Sequence, residues 1–337
     1  MHRTSIEQPS TEQHETLSPS TDDMHRREFV KGTAAAAAMS MMPGVLAGAA
    51  TSSTVSRERS SAPKPFKLRY AFDAGQFSNH APGGIVDELK FAHDQGFTAM
   101  EDNRMKGRPV AEQEAVAREM TRLGMTMGII LNNGQTGFKA GGSLTTGKPE
   151  ERDAFLAEVR SSIECAKRVN AKWMTSLVGM ADLKLPRGYQ TANVIDCLRR
   201  ACELLEPHGI VMVFEPLNVI ENHPGFFIHS NDEMYALMKA VKSPSAKLLY
   251  DLYHSQISEG HMIYNFDKCF DEIGYVQTGD TPGRKEPGTG ETNYRNVFKF
   301  VHQRGYTGLI GMEHGKSLPG KEGELALIKA YRDADDF

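Results

Sequence analysis

The feature that most constrains the fold is an eightfold alternation of short apolar runs and longer amphipathic stretches, which begins near Phe66. The runs are β-branched or otherwise apolar and nearly continuous, as expected for strands covered on both faces in a parallel sheet. The predicted strands are 67–72, 97–101, 125–131, 172–177, 210–214, 246–250, 274–278 and 308–312. Eight strand–helix units in about 270 residues match the size of a (β/α)₈ barrel, an α/β fold.

The amphipathic stretches between these strands have the length and spacing of helices. The predicted helices lie near 84–95, 110–123, 150–169, 189–207, 230–242, 260–272, 293–304 and 321–333. A glycine ends the helix and opens the next strand at four joins, the usual position of a left-handed helix cap. These glycines are Gly96, Gly124, Gly209 and Gly305. A doubly wound open sheet is the rival fold, but its glycine-rich phosphate turn is missing after the first strand.

The first 65 residues differ from the rest, so we divide the chain into an N-terminal extension over 1–65 and a catalytic barrel over 66–337. Residues 1–23 are polar without apolar spacing, which predicts disorder or an overlong gene start before Met24. Arg26-Arg27, a mild apolar stretch and then small residues follow, in the order of a twin-arginine export signal. We therefore expect a periplasmic or otherwise exported protein. The alternative is a chance Arg-Arg pair before an alanine-rich helix.

Composition indicates which kinds of molecule the protein is expected to bind. The formal net charge of −4 gives no electrostatic reason to expect a nucleic acid or an anionic membrane surface. The apolar stretch before residue 50 is interrupted by Pro43-Gly44 and is too short to span a bilayer. The four cysteines form no C-x-x-C pair, so we expect free, buried thiols. A small molecule is the expected partner, and a homo-oligomer is left open.

Polar residues end several of the predicted strands, and in a (β/α)₈ barrel the carboxyl ends of the strands build the active site. The segments concerned are Glu101-Asp102-Asn103, Glu215-Pro216-Leu217-Asn218, Asp251-Leu252-Tyr253-His254, Gln277 and Glu313-His314. Carboxylates that converge on one mouth repel one another unless a divalent cation lies between them. Oxygen ligands suit Mg²⁺ or Mn²⁺ better than zinc or copper. For any single acid, the alternative is a helix cap or a salt bridge.

Four segments carry a resemblance to a known family. EPLN (215–218), YDLYH (250–254), VQTGDTPGRKEPGTGETNY (276–294) and GMEHG (311–315) resemble the hydroxypyruvate isomerase family within the xylose-isomerase-like barrels. The resemblance covers essentially all of 66–335 and implies a (β/α)₈ barrel that binds one divalent metal. The implied ligands are Glu215, Asp251, Gln277 and Glu313. The two glutamates are implied to serve also as the acid/base pair, and Gln277 favours this branch over ketose 3-epimerases, which usually have His there.

The same resemblance suggests residues that bind substrate. Glu221 and His254 match positions that bind substrate hydroxyls in the epimerases, and Arg284 resembles an arginine that meets a substrate oxygen or carboxylate. The alternative for His254 is a hydrogen bond that only supports the site, and for Arg284 a solvent-exposed loop charge. Glu101, at the end of the second strand, completes the expected substrate contacts.

These observations predict a divalent-metal-dependent isomerase that acts on an α-hydroxy carbonyl compound through a cis-enediolate. The substrate is of the hydroxypyruvate/tartronate semialdehyde type or a keto-sugar. A ketose 3-epimerase and a keto-sugar dehydratase or lyase are the alternatives, because pocket shape decides where the proton returns. An endonuclease would need a histidine cluster and a basic surface, and a sugar-binding protein would not need both glutamates.

Overall fold

The computed structural model describes residues 64–137 and 144–337, and within them eight parallel strands close into a barrel in sequence order. The first strand pairs with both the second and the eighth. The strands are β1 Arg69–Asp73, β2 Ala99–Asp102, β3 Thr126–Leu131, β4 Trp173–Ser176, β5 Val211–Phe214, β6 Ala246–Asp251, β7 Ile273–Gln277 and β8 Leu309–Met312. Each predicted strand overlaps an observed one, so the predicted (β/α)₈ barrel is confirmed.

Helices follow the strands and cover the outside of the barrel. They are α1 Ile85–Asp94, α2 Val110–Leu123, α3 Gly134–Gly137, α4 Pro149–Val169, α5 Arg187–Leu205, α6 Asn231–Val241, α7 Leu252–Ser258, α8 Met262–Cys269, α9 Tyr294–Gln303 and α10 Gly320–Asp335. Short 3₁₀ turns span Met105–Gly107, Leu144–Thr146, Glu206–His208 and Phe270–Glu272. The four join glycines have positive φ, as at Gly124 with φ 67°, which confirms the predicted left-handed caps.

Helix α7 is not among the predicted helices. It begins directly after Asp251, whose carboxylate accepts hydrogen bonds from the backbone N–H groups of Tyr253 and His254. A capping side chain of this kind satisfies N–H groups that have no partner inside the helix. Asp251 therefore ends a strand and starts a helix at once, which fixes its carboxylate at the mouth of the barrel.

The hydrophobic core has two parts, separated by the sheet. A small cluster fills the inside of the barrel with Ala71, Ala99, Ile129, Val213, Leu249, Tyr275 and Leu309. A much larger cluster lies between the outer face of the sheet and the helices. All four cysteines are free and buried, as predicted. The apolar side chains fill the inside of the barrel below the polar residues at its mouth.

Helix α10 ties the last unit of the barrel to the first. The Asp335 carboxylate accepts hydrogen bonds from the backbone N–H groups of Lys67 and Leu68, at 2.6 and 3.2 Å, and from the Tyr70 hydroxyl at 3.0 Å. Near the start of the same helix, Glu324 is fully buried. Its carboxylate accepts hydrogen bonds from the backbone N–H groups of Asn79 and His80, in the loop after β1. These contacts lock β1 against α10 and complete the ring.

The predictions for the N-terminal extension fall almost wholly on residues 1–63, outside the described residues. The twin-arginine signal, the export that it implies and the domain boundary near residue 65 therefore stay predictions. In the part of the chain that the structure describes, no helix is long and apolar enough to cross a membrane.

Candidate active site

The mouth of the barrel collects the polar side chains that end the later strands. Glu215 directly follows β5, Asp251 and Gln277 are the last residues of β6 and β7, and Glu313 directly follows β8. A cavity of about 200 Å³ opens there, and its walls include Glu215, Gln277 and Glu313. All four predicted metal ligands thus lie at neighbouring strand ends, and three of them line one cavity.

Three buried side chains bring possible ligand atoms close together. One ligand atom each from Glu215, Asp251 and His254 lies within 4.8 Å of the other two. The His254 Nε2 atom is 3.5 Å from Glu215 Oε1 and 4.0 Å from Asp251 Oδ2. Glu215 Oε1, His254 Nε2 and the nearby Gln277 Oε1 are all buried without a hydrogen-bond partner. Buried polar atoms of this kind are unfavourable unless a ligand satisfies them.

Asn218 determines which nitrogen of His254 carries the proton. Its Oδ1 accepts hydrogen bonds from the backbone N–H groups of Glu221 and Asn222, at 3.0 and 3.2 Å, so its Nδ2 must be the donor at the other end. That Nδ2 lies 2.6 Å from His254 Nδ1, and the Asn218 backbone N–H also donates to Nδ1 at 3.2 Å. The ring proton is therefore on Nε2, so neutral His254 presents a donor to Glu215, not a metal-binding lone pair.

Burial also keeps His254 neutral. It lowers the pKa of the imidazole to about 4, even though Asp251 acts in the opposite direction. A neutral imidazole with its proton on Nε2 can donate one hydrogen bond to a substrate oxygen. The geometry thus fits the expected contact with a substrate hydroxyl.

Arg284 lies between two of the carboxylates. Its Nη2 donates to Glu313 Oε2 at 2.6 Å and to Asp251 Oδ2 at 3.2 Å, and its guanidinium lies 4.8 Å from the centre of the Tyr253 ring. Glu313 Oε1 accepts a second hydrogen bond from Asn103 Nδ2, at 3.1 Å. The alternative of a solvent-exposed loop charge does not hold for Arg284, because only 28% of its side chain is exposed and it faces the site.

The loop that carries Arg284 is folded around a buried acid. The Asp280 carboxylate accepts hydrogen bonds from the backbone N–H groups of Gly288 and Gly290, both at 2.9 Å, and of Thr292 at 3.1 Å. At Gly290 a Cβ atom would lie 2.2 Å from the Thr281 carbonyl oxygen, so only glycine fits. The PGRKEPGTGE segment is thus a turn held by hydrogen bonds to Asp280, and it places the Arg284 side chain at the mouth.

Glu101 lies beneath the cavity and not on its wall. Its side chain is inside the barrel and buried, where Oε1 accepts from Gln277 Nε2 at 3.1 Å and Oε2 accepts from the Tyr275 hydroxyl at 2.9 Å. Because the Gln277 amide nitrogen is held by Glu101, the amide oxygen is turned the other way. The structure therefore places Glu101 as a support for a predicted metal ligand, instead of the expected substrate contact.

In the loop after β5, His223 lies at the cavity, whereas the sequence predicted a substrate contact by Glu221. The Glu221 side chain is exposed, and it is His223 that lines the cavity, with its ring centre 5.5 Å from that of His254. His314, next to Glu313, turns away and forms a 2.8 Å hydrogen bond through Nε2 with the Tyr331 hydroxyl. A substrate contact by Glu221 stays a prediction.

The carboxyl groups differ in how readily they hold a proton. Burial raises the pKa of Glu215, and the charges of Glu313 and Asp251 raise it further. Burial also raises the pKa of Glu313, although Arg284 opposes the shift. For Asp251 the effect of burial is outweighed by His254 and Arg284, so its pKa is lowered. Carboxyl groups with raised pKa values are suited to proton transfer near neutral pH.

The sequence matches a family model and named isomerases. The model described as a xylose isomerase-like TIM barrel matches residues 89–333. Hydroxypyruvate isomerase of Escherichia coli K12 is 32% identical over 188 residues, which are 55% of this chain and 70% of that protein. A 2-oxo-tetronate isomerase of Cupriavidus necator is 26% identical, over 76% of this chain and 95% of its own length.

Solved structures share the barrel. A Brucella melitensis protein named AP endonuclease, family 2, has a TM-score of 0.66 and 26% identity, over 76% of this chain and 96% of its own. A 3-keto-D-glucoside 4-epimerase of E. coli has a TM-score of 0.64, over 79% of this chain and 98% of its own, at 17% identity, which shows the fold alone. From these matches and from the observed barrel, the chain belongs to the hydroxypyruvate isomerase family of xylose isomerase-like TIM barrels and is an isomerase.

Proposed function

We propose that the chain is a divalent-metal-dependent isomerase that converts an α-hydroxy carbonyl substrate through a cis-enediolate. The observation that carries this proposal is the pair of partnerless buried oxygens, Glu215 Oε1 and Gln277 Oε1, beside the Asp251 carboxylate. A buried polar atom without a partner costs about 1–3 kcal/mol, and a cation at this place satisfies several at once. The donor set therefore fits a metal ion.

Glu215, Asp251, Gln277 and Glu313 would hold the ion. All four offer oxygen atoms, which favours Mg²⁺ or Mn²⁺ over softer metals. When bound, the cation supplies a positive charge that stabilises the negative charge developing on the substrate oxygens. His254 would contact the substrate and not the metal, because its Nε2 carries a proton.

The two glutamates would move the protons. They come from β5 and β8, on different strands of the same mouth, so one can remove the α-proton while the other delivers a proton to the neighbouring carbon, which was the carbonyl carbon. The proton of the original hydroxyl passes to the original carbonyl oxygen, so the carbonyl group moves by one carbon. His254 donates from Nε2 to a substrate hydroxyl. Arg284, held by its loop, steadies Glu313 and offers its remaining N–H groups to a substrate oxygen or carboxylate.

The relatives favour isomerisation over the alternatives. Hydroxypyruvate isomerase and 2-oxo-tetronate isomerase, by their names, act on hydroxy-keto acids and support the same reaction type here. A ketose 3-epimerase or a keto-sugar lyase would use the same residues with a different fate for the proton. A nuclease of this fold would need a cluster of histidine ligands, whereas the group of described residues that could hold a metal ion, Glu215, Asp251 and His254, contains one histidine.

Exchange of substrate α-protons with D₂O tests the proposal directly. The purified protein is treated with EDTA, divided, and supplied with Mn²⁺, Mg²⁺ or nothing, and NMR then follows hydroxypyruvate and a panel of keto-sugars. We expect deuterium at the α-carbon of at least one substrate only in the samples that contain metal. Equal exchange with and without metal, or no exchange in the whole panel, would contradict the proposed chemistry.

A further inference from the structure

The half of the mouth opposite the metal-binding residues carries its own unsatisfied polar atoms. Asn103 follows β2, Asn132 follows β3 and Thr175 lies near the end of β4. The atoms Asn103 Oδ1, Asn132 Oδ1 and Thr175 Oγ1 are buried and have no hydrogen-bond partner. Asn132 and Thr175 are each only 4% exposed. None of these atoms has a role in the proposed metal site.

The free oxygen of Asn132 follows from a chain of hydrogen bonds. The Leu177 backbone N–H donates to Asn133 Oδ1 at 2.9 Å, which fixes the orientation of that amide. The Ser176 hydroxyl then gives its only proton to Asn133 Oδ1, also at 2.9 Å. Asn132 must therefore donate from Nδ2 to Ser176 Oγ, at 3.3 Å, and its Oδ1 is left as an unused acceptor.

A hydrogen bond to Glu313 fixes the orientation of the Asn103 amide. Its Nδ2 donates to Glu313 Oε1, so its Oδ1 points elsewhere and remains unused. Asn103 lines the cavity around Glu215, and Thr175 lines it as well. Two of the three unsatisfied groups thus face the space in which the substrate would lie.

The cavity continues beyond the catalytic residues. A second cavity of about 640 Å³ adjoins the first, and its walls include Asn132 and Lys106. The residues common to both cavities are Asn103, Leu131 and Gly134. The Lys106 ammonium group donates to the backbone carbonyls of Asn132 and Glu158 at 3.0 and 3.4 Å, and it forms no ion pair with any described carboxylate. This extension therefore offers an ammonium donor, from Lys106, and an unused amide acceptor, from Asn132.

We infer that the β2–β4 side of the mouth is a polyol-binding subsite, built from Asn103, Asn132, Thr175 and Lys106. The substrate would then be a keto-sugar or sugar acid of about five or six carbons, with hydroxyl groups beyond the reacting pair, and not three-carbon hydroxypyruvate. Each hydroxyl can both donate and accept, so a polyol chain satisfies unused acceptors and the ammonium together. This inference rests on the proposed function and names the substrate class of that same site.

A series of substrates of increasing length tests the inference on the Mn²⁺-loaded protein. The probes are hydroxypyruvate, erythrulose, ribulose and fructose, both enantiomers of each sugar, followed by deuterium exchange and by turnover. We expect kcat/KM for the best five- or six-carbon sugar to exceed that for hydroxypyruvate about tenfold or more. Exchange confined to hydroxypyruvate overturns the inference and leaves the proposed function intact. Exchange with no probe overturns the proposed function.

Thr175→Val provides the second test, with Thr191→Val as the matched control on an outer helix. Because the Thr175 hydroxyl has no partner to lose, we expect the melting temperature without substrate to be unchanged or higher. The ratio of kcat/KM for the long sugar to that for hydroxypyruvate should fall about three- to tenfold, mainly through KM, since one hydrogen bond to substrate is lost. An unchanged ratio in a folded Thr175→Val protein would overturn the subsite, and the control should leave the ratio as in the wild type.

Discussion

Arg284 is the residue whose charge lets Asp251 and Glu313 lie close together at the mouth. Its guanidinium contacts both carboxylates, and those negative charges raise its own pKa above the ordinary value of an arginine, although burial acts the other way. A divalent ion bound by the same carboxylates would reduce their mutual repulsion in the same way. The stability of the barrel mouth should therefore depend jointly on Arg284 and on metal.

Arg284→Gln should lower the free energy of unfolding by about 2 kcal/mol in the presence of EDTA, because it leaves two largely buried carboxylates without their counter-charge. Excess Mn²⁺ should recover most of that loss. Thermal melts with EDTA and with Mn²⁺ measure both effects, with Arg118→Gln, an exposed helix position, as the control. A variant that melts with the wild type under EDTA would show that Arg284 has no such role.

Glu324 of helix α10 connects this helix to the loop after β1 through hydrogen bonds. Its carboxylate accepts from the backbone N–H and the side chain of Asn79, at 2.8 and 2.7 Å, and from the backbone N–H of His80 at 2.9 Å. Burial alone would raise the pKa of Glu324, but these hydrogen bonds outweigh it and lower the pKa to about 2. The ionised form is thus the one that the fold stabilises.

Glu324→Gln should destabilise the protein at neutral pH, and the difference should disappear in acid. A pKa lowered in the folded state adds stability above the unfolded value of 4.5, and that stability is lost as the pH falls towards 2. The shift corresponds to about 3 kcal/mol, an upper bound because Gln keeps one acceptor oxygen. Urea unfolding between pH 7 and pH 2 measures it, with exposed Glu322→Gln as control. A difference that is constant with pH would contradict the assignment.

The strands could be predicted from the sequence and helix α7 could not, because the two are stabilised in different ways. The eight strands are nearly continuous apolar runs that are largely buried, so the pattern identifies them. Helix α7 has no comparable pattern, because the side-chain cap of Asp251 defines its start. Its existence depends on one side chain in a particular rotamer, and a periodicity argument does not contain that information.

At the scale of the whole molecule, the sequence locates the mouth but not the direction of every side chain around it. Glu215, Asp251, Gln277 and Glu313 lie at the ends of neighbouring strands, because the carboxyl ends of parallel barrel strands share one face. Glu101, which the sequence predicted to end β2, is the residue before its last, and its side chain points down into the barrel, beside a register shift between Met100 and Asp102. Such a shift, and the unsatisfied oxygens opposite the metal site, emerge only from the closed barrel.

In the proposed mechanism, Glu215 and Glu313 transfer protons on opposite sides of an enediolate, and Glu→Gln variants at the two positions separate the two transfers. Gln keeps an oxygen ligand for the metal but cannot act as the base. NMR in D₂O, on a substrate that the wild type converts, reads deuterium incorporation and product formation in one experiment, and calorimetry confirms metal binding.

We expect one variant to abolish deuterium incorporation into the substrate. The other should still allow detectable incorporation while product formation falls about a hundredfold or more, the usual contribution of a positioned acid or base. If both variants bind metal and turn over at near the wild-type rate, the two glutamates are ligands only and the enediolate account is wrong.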